Sequence, residues 1–352
     1  MNLVGIGDLL IPETFIRQGF SNFEKAGVTL KTIEWKMKDF EELQNINLLI
    51  ETKGSEAYQV PDYILDAVKD ADIMITQFCP INRQVLDACK RLKAVGVLRG
   101  GTENVNLDYA SKRGVAVFHT PGRNANAVAD FTVGMLIAEC RNIAKSHMNL
   151  KKGKWVRDYV NKDSVPDLAD KVAGIVGLGE IGRRVAKRLS AFDMKIVAYD
   201  PFVKTGPGNV EMVSLEKLMQ VSDFITLHAR LTTETEHLIS AHMLSLMKPG
   251  AYLINTARSG LVDENALYEA LSSKKIMGAA IDVFREEPPR KNDPLVMLGN
   301  VTVTPHLAGG TRDAFISSPR LLAAEMIKLL EGTDSRFVLN PEVYQEQFGS
   351  GK

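Results

Sequence analysis

Short apolar runs alternate with amphipathic stretches along most of the chain. In the second half the runs lie at 172–176, 195–200, 223–228, 250–256, 278–284 and 301–305, and helical spacing fills most intervals, as at 215–221 and 264–271. This β-α alternation predicts a doubly wound parallel sheet. The first half alternates as well, with runs at 46–50, 72–76, 93–98 and 115–118 and helical stretches such as 62–69 between them. That pattern predicts a second, smaller α/β unit. Positions 126–145 are apolar nearly all round, with Val128, Phe131, Val133, Met135, Leu136, Ile137, Ala138, Cys140 and Ile143. A helix there needs burial on several sides, which suits a domain junction or a subunit contact. Near the end, Leu321, Leu322, Ala324, Met326, Leu329 and Leu330 predict a further helix, with Pro319 in its first turn and Gly332 as its stop. If that helix returns to the first unit, the second unit is an insertion.

The run 172–176 is followed at once by Gly177-Leu178-Gly179-Glu180-Ile181-Gly182 and then by a helical face of Ile181, Val185, Ala186 and Leu189. A G-x-G-x-x-G turn between a strand and a helix is the context a dinucleotide site requires. Gly177 permits the tight turn, Gly179 leaves room for a pyrophosphate, and Gly182 lets helix and strand approach. The helix N-terminus offers free amides and positive dipole to the phosphates. Asp200 ends the next apolar run, where a carboxylate accepts from the ribose hydroxyls of NAD and repels the extra phosphate of NADP. Pro201 and Phe202 follow it, with no basic residue, so NAD is the expected cofactor. About half the chain precedes this turn.

Composition narrows the class. The 352 residues are 45% hydrophobic, with 43 Lys+Arg against 43 Asp+Glu, so nothing favours nucleic acid or an anionic membrane. Length suggests about two domains. Cys79, Cys89 and Cys140 show no metal or redox spacing and cannot all pair, which suits the cytoplasm, and no metal site is expected. Residues 1–8 lack a signal peptide's basic start, and no apolar run is long enough to span a bilayer.

Three residues near predicted strand ends are candidates for chemistry, because such ends face the ligand crevice of a doubly wound sheet. Arg258 follows Ile254-Asn255-Thr256-Ala257, and arginine holds a carboxylate with two parallel hydrogen bonds. Read alone, it is equally a surface residue of a loop. Glu287 lies in the charged stretch Arg285-Glu286-Glu287 before Pro288, and read alone is an ordinary loop acid. His306 ends Val301-Thr302-Val303-Thr304-Pro305, with five other histidines competing, among them the strand-end His228. Asp282, inside an apolar run, needs a partner.

In order and spacing, the glycine turn, Asp200, Asn255-Thr256-Ala257-Arg258-Ser259-Gly260-Leu261-Val262-Asp263, Asp282-Val283-Phe284, Glu287-Pro288 and Thr304-Pro305-His306 resemble the D-isomer-specific 2-hydroxyacid dehydrogenases. The resemblance runs from about 70 to 330 and includes Arg99-Gly100-Gly101 and Asn124-Ala125-Asn126-Ala127-Val128-Ala129-Asp130-Phe131. It implies two doubly wound parallel-sheet domains. A Rossmann NAD-binding domain, 125–311, is inserted into a flavodoxin-like substrate domain, 1–124 with 312–352, and substrate lies in the cleft between them. It further implies His306 as acid/base, Glu287 as its partner, and Arg258 as the residue that binds the substrate carboxylate and polarises the reacting carbonyl. Arg99, Gly100 and Gly101 would help clasp the substrate through the backbone of 98–101. Gly177, Gly179, Glu180, Ile181, Gly182, Asp200, Ala229, Arg230, Thr256, Ala257, Arg258, Asp282, His306 and Gly309 would line the cofactor. The expected function is NAD-dependent hydride transfer between a D-2-hydroxy acid and its 2-oxo acid, in a homodimer. A corepressor-like, NAD(H)-dependent binding protein on the same fold is the alternative.

Two departures bear on substrate. Phosphoglycerate dehydrogenases of the family usually carry an arginine after the run at 72–76, where this chain has Gln77. Arg83, Arg99 or Arg123 are the candidates to replace it. Arg230 stands where relatives often have proline, in contact with cofactor phosphate or with solvent.

Overall fold

The computed structural model describes residues 1–349. The chain divides into two compact units, one formed by Met1–Arg123 with the segment from Thr311 onward, the other by Asn124–Gly310.

The first unit holds a five-stranded parallel sheet, β1 (Asn2–Gly7), β2 (Thr29–Glu34), β3 (Ile73–Thr76), β4 (Ala94–Val97) and β5 (Ala116–Phe118), ordered β2-β1-β3-β4-β5. Alternate residues feed two cores. Val4, Ile6, Met74, Val95 and Val97 face one side, and Leu3, Ile73, Ile75, Ala94 and Phe118 the other. The helix Arg312–Met326 covers the second face with Leu322, Ala323 and Met326. Glycine at 96 makes this possible, since a Cβ there would lie 2.6 Å from Met326 Sδ and 2.9 Å from Leu322 Cδ2.

Three pattern-based expectations fail in this unit. The run 46–50 is not a strand. It belongs to the helix Phe40–Lys53, in which the Asp39 side chain accepts from Glu42 N and Leu43 and Ile50 share the buried face. Pro319 does not open its helix. That helix starts well before the leucine spacing suggests, at Arg312, capped by Thr311, whose hydroxyl accepts from Ala314 N. Pro319 therefore lies well inside the helix, buried against Gly19, where a Cβ would meet the proline's carbonyl carbon at 2.7 Å. Gly332 does end the last short turn, Lys328–Glu331, in the left-handed conformation at φ 66°. Finally, β1 and β2 are strands where the pattern predicts none: glycines interrupt the apolar signal of β1, and β2 has only Leu30 and Ile33 as apolar residues. Gly5 and Gly7 leave room for Ile16 and the Glu13 amide beneath them.

The second unit holds seven parallel strands, β6 (Val172–Val176), β7 (Lys195–Tyr199), β8 (Glu211–Met212), β9 (Phe224–Leu227), β10 (Tyr252–Asn255), β11 (Gly278–Ile281) and β12 (Val301–Val303), ordered β12-β11-β10-β9-β6-β7-β8. Ala173, Ile175, Phe224, Tyr252 and Ile254 face one core, and Val176, Ile225, Leu227 and Leu253 the other. The apolar helix of the sequence runs Ala125–Cys140. Asn142, at φ 58°, separates it from the helix Ile143–Lys151. Its apolarity is spent inside this unit, against the helix Glu180–Ser190 and strands β10 to β12. The register aligns strand ends. Val176 pairs with Tyr199 and Leu227, and Asn255 with Leu227 and Ile281, so the loops that follow share one edge.

Candidate active site

At that edge the glycine turn is shaped by its neighbours. Gly177 sits at φ 92°, and a Cβ there would lie 2.6 Å from Ala229 N. A Cβ on Gly182 would collide with the Gly177 carbonyl oxygen, whereas one on Gly179 meets nothing within 4 Å. The helix Glu180–Ser190 begins at Gly179 without a side-chain cap. Open space therefore lies in front of uncapped amides, an arrangement that fits a pyrophosphate. Asp200 follows β7 and closes the turn: its Oδ2 accepts from Leu178 N at 2.8 Å and its Oδ1 from Phe202 N at 2.9 Å. Glu180 is exposed and paired with Arg184 at 2.7 Å, and Ile181 is half-buried. Ala229 is half-buried just after β9, and Arg230 is exposed.

The loop after β10 is held by Asn255. Its Oδ1 accepts from Ala257 N at 3.0 Å and its Nδ2 donates to the Arg258 carbonyl at 2.9 Å. The Thr132 hydroxyl donates to the Val128 carbonyl, so Thr256 is the donor in the 2.7 Å contact between the two threonine hydroxyls. Arg258 Nη1 donates to its neighbour Ala257's carbonyl at 2.7 Å.

After β11 and β12 come Asp282 and His306. Asp282 is fully buried, and each of its oxygens is engaged. Oδ1 accepts from Thr304 Oγ1 at 2.6 Å and from Leu307 N at 2.9 Å, and Oδ2 accepts from Ala308 N at 2.9 Å. The Asp282 backbone donates to the Asn255 carbonyl at 3.0 Å and accepts from His306 N at 2.8 Å. One buried carboxylate thus fixes the turn that carries the histidine, at φ 51° for His306 itself. The imidazole Nδ1 lies 2.8 Å from Glu287 Oε2, while Glu287 Oε1 accepts from Phe284 N at 3.0 Å. The His306 side chain is 47% exposed, so its ring remains open to a ligand. A Cβ on Gly309 would clash with the Asn124 amide nitrogen.

His228, the competing strand-end histidine, is half-buried, with Nδ1 enclosed and Nε2 3.1 Å from Thr226 Oγ1. Burial pushes its pKa down to about 3, which keeps the ring neutral. Among the described residues, no three His, Cys, Asp or Glu side chains group as metal ligands.

The remaining candidates, Arg99, Gly100 and Gly101, belong to the first unit, in the loop after β4. The Arg99 side chain is already engaged: Nη2 lies 2.5 Å from Glu51 and 3.4 Å from Glu103, Nη1 donates to Asn47, and the guanidinium stacks over Phe78. The Arg99 carbonyl accepts from Thr120 N, and the Gly100 carbonyl from His119 Nδ1. Sequence reasoning assigned nothing to Asn255, Thr132 or Thr304. The first and last stood within quoted motifs; Thr132, far away in the chain, left no signal.

Residues 133–308 match the model of the D-isomer specific 2-hydroxyacid dehydrogenase NAD binding domain. The chain is 38% identical to the D-3-phosphoglycerate dehydrogenase of Methanocaldococcus jannaschii over 82% of its own length and 56% of the relative's, so it spans about half of that protein. It is 39% identical to the glyoxylate reductase of Thermofilum pendens, over 80% of this chain and 84% of that one. The solved D-lactate dehydrogenase of Lactobacillus jensenii with NAD+ superposes with a TM-score of 0.74 at 25% identity, covering 96% of this chain and 99% of that one. The glycine turn therefore lies in an NAD-binding domain, and the chain belongs to the D-isomer specific 2-hydroxyacid dehydrogenase family.

Proposed function

We propose that this protein is an NAD-dependent dehydrogenase that interconverts a D-2-hydroxy acid and its 2-oxo acid. The observation that carries this reading is the 2.8 Å contact between His306 Nδ1 and Glu287 Oε2, in the unit that bears the glycine turn. In this reading the 177–182 turn and the helix behind it bind the pyrophosphate, and Asp200 holds the ribose hydroxyls. Ala229, Arg230 and 256–258 line the rest of the cofactor. When bound, NAD(H) supplies or accepts a hydride at the substrate's C2.

The chain's own groups supply the proton and the charge. Glu287 accepts the Nδ1 hydrogen, which leaves Nε2 of His306 to face substrate. In reduction, Nε2 donates a proton to the carbonyl oxygen; in oxidation it takes one from the hydroxyl. The Glu287 carboxylate stabilises the imidazolium form. Arg258 binds the substrate carboxylate and stabilises charge on the reacting oxygen. Asp282 sets the position of the histidine. The first unit contributes substrate recognition, with the backbone of 98–101 as an anion clasp.

We also expect a homodimer, because the helix Ile143–Lys151 and the following loop expose Ile143, Met148, Leu150 and Trp155, the last 81% exposed. The three cysteines are free and buried, which favours a cytoplasmic setting. Among the described residues, no helix is long and apolar enough to cross a membrane.

The test is a panel of 2-oxo acids with NADH: glyoxylate, hydroxypyruvate, 2-oxobutyrate and 3-phosphohydroxypyruvate. Oxidation of NADH by at least one is expected. Tight NADH binding with no oxidation by any of them would favour the corepressor-like reading instead.

A further inference from the structure

The first unit has its own polar cluster at the carboxyl ends of its strands. Seven buried side-chain polar atoms lack a hydrogen-bond partner among the described residues, and five of them belong to this cluster: Asp8 Oδ2, Gln77 Nε2 and Oε1, Asn104 Oδ1 and Arg123 Nη1. Buried polar atoms in a folded protein are ordinarily paired, so a concentration of unpaired ones marks a place where a partner belongs.

The topology brings these residues together. Ile6 pairs with Thr76, so the chain leaves β1 toward Asp8 beside the point where it leaves β3 toward Gln77. In a sheet ordered 2-1-3-4-5, the crevice between strands 1 and 3 is the switch point at which ligands bind. Asn104 spans the carbonyls of Gln77 and Cys79 through its Nδ2, which leaves Oδ1 unused. Arg123 lies close enough to Asp8 for each charge to act on the other, and it stacks over Phe315. Asp8 and Gln77 are 2% and 1% exposed. Of the three arginines that are candidates to replace a missing phosphate ligand, Arg99 is tied to two glutamates and Arg83 lies over Tyr109. Arg123 alone of these has an unpaired buried N–H.

The atoms themselves specify the ligand. Gln77 Nε2 and Arg123 Nη1 donate; Asp8 Oδ2, Gln77 Oε1 and Asn104 Oδ1 accept. A phosphate only accepts, so three acceptors would be left facing its oxygens. An alkyl tail would leave all five unpaired. Hydroxyls both donate and accept, and two or more of them match the mixed set. Charge agrees: Arg123, on which Arg99 also acts, is offset by Asp8, with Glu34 also acting on Asp8. From this set we infer that Asp8, Gln77, Asn104 and Arg123 form a subsite for a neutral, polyhydroxylated tail of the 2-oxo or 2-hydroxy acid. The inference rests on the dehydrogenase reading and names its substrate class.

The test uses one four-carbon skeleton: D-erythronate, D-2-hydroxybutyrate and D-erythronate 4-phosphate, each with NAD+. The expected order puts D-erythronate first in kcat/KM, at least about tenfold above the deoxy acid, because a site built to bond hydroxyls rejects the analogue without them. Gln77→Leu and Arg123→Leu should each bring the erythronate-to-hydroxybutyrate ratio toward one. A wild-type preference for the deoxy or the phosphorylated acid overturns the inference, as does a ratio that neither variant moves. Calorimetric titration of the same three acids into the protein with NAD+ reads tail preference without turnover. Absent turnover with erythronate still bound best counts against the dehydrogenase reading and for the subsite. Turnover with equal binding of all three does the reverse.

Discussion

The Asp282 carboxylate accepts the backbone amide of Ala308 at 2.9 Å, and through its other oxygen the amide of Leu307 and the hydroxyl of Thr304. These bonds bracket His306 on both sides. The histidine's own φ of 51° lies in the left-handed region, which is uncommon for a non-glycine residue. Asp282 holds it there, so the orientation of His306 depends on a carboxylate outside its own turn, at the end of the neighbouring strand.

Asp282→Asn tests this. The amide replaces one acceptor oxygen by a donor, which then faces an N–H or the Thr304 hydroxyl. Loss of a buried, charge-assisted bond should cost about 1–3 kcal/mol of stability, read by urea unfolding. The account also expects kcat to fall while the KM for NADH stays near the wild-type value. A variant that loses stability but keeps kcat would make Asp282 structural only.

Glu287→Gln keeps an oxygen that accepts the Nδ1 hydrogen but removes the charge. We expect kcat for 2-oxo acid reduction to drop by about 10²-fold, with NADH affinity held. Equal losses in kcat and in NADH affinity would instead place Glu287 in cofactor binding.

In the proposed reading Asp200 repels a 2′-phosphate, and Asp200→Ser removes that carboxylate. The preference for NADH over NADPH should shrink by about tenfold or more, measured as the ratio of kcat/KM values. Because Asp200 also accepts from Leu178 N, NADH use should itself decline. A preference left intact would move the specificity away from Asp200.

His228 sets a pH dependence. Its pKa is lowered from 6.5 to about 3 by burial, so the fold binds the neutral ring and the unfolded chain binds the proton first. The stability it contributes is present above pH 6.5 and is lost as pH falls toward 3. His228→Gln removes the titration and retains a polar partner for Thr226. The wild type should lose stability relative to this variant between pH 7.5 and 4.5, by on the order of a few kcal/mol. Parallel losses in both proteins would remove His228 from the acid response.

The second unit was the more legible part of the sequence because its strands are buried on both faces and read as continuous apolar runs. Strands β6, β7 and β10 lie within the predicted runs, and the helix Leu215–Val221 matches its predicted span. In the first unit, β1 is broken by two glycines that fit close neighbours, and the run at 46–50 is part of a helix that its capping Asp39 begins well upstream. At the site, His306 and Glu287 carried no individual signal and were marked by their order among motifs. The anchoring work of Asp282 was hidden because its partners are mostly backbone amides. The cluster of Asp8, Gln77, Asn104 and Arg123 was hidden because β1, β3 and the loops after β4 and β5 are brought together only by the sheet.

The central claim is hydride transfer with His306 as the proton donor. The most direct measurement follows deuterium from NADH deuterated at the transferred position, with a 2-oxo acid from the panel that the protein reduces. The account predicts deuterium at C2 of a D-2-hydroxy acid with the wild type. With His306→Ala, it predicts a fall in that transfer of about 10²–10⁴-fold while NADH still binds. Deuterium transfer at an undiminished rate in His306→Ala, or no deuterium at C2 of the wild-type product, would contradict it.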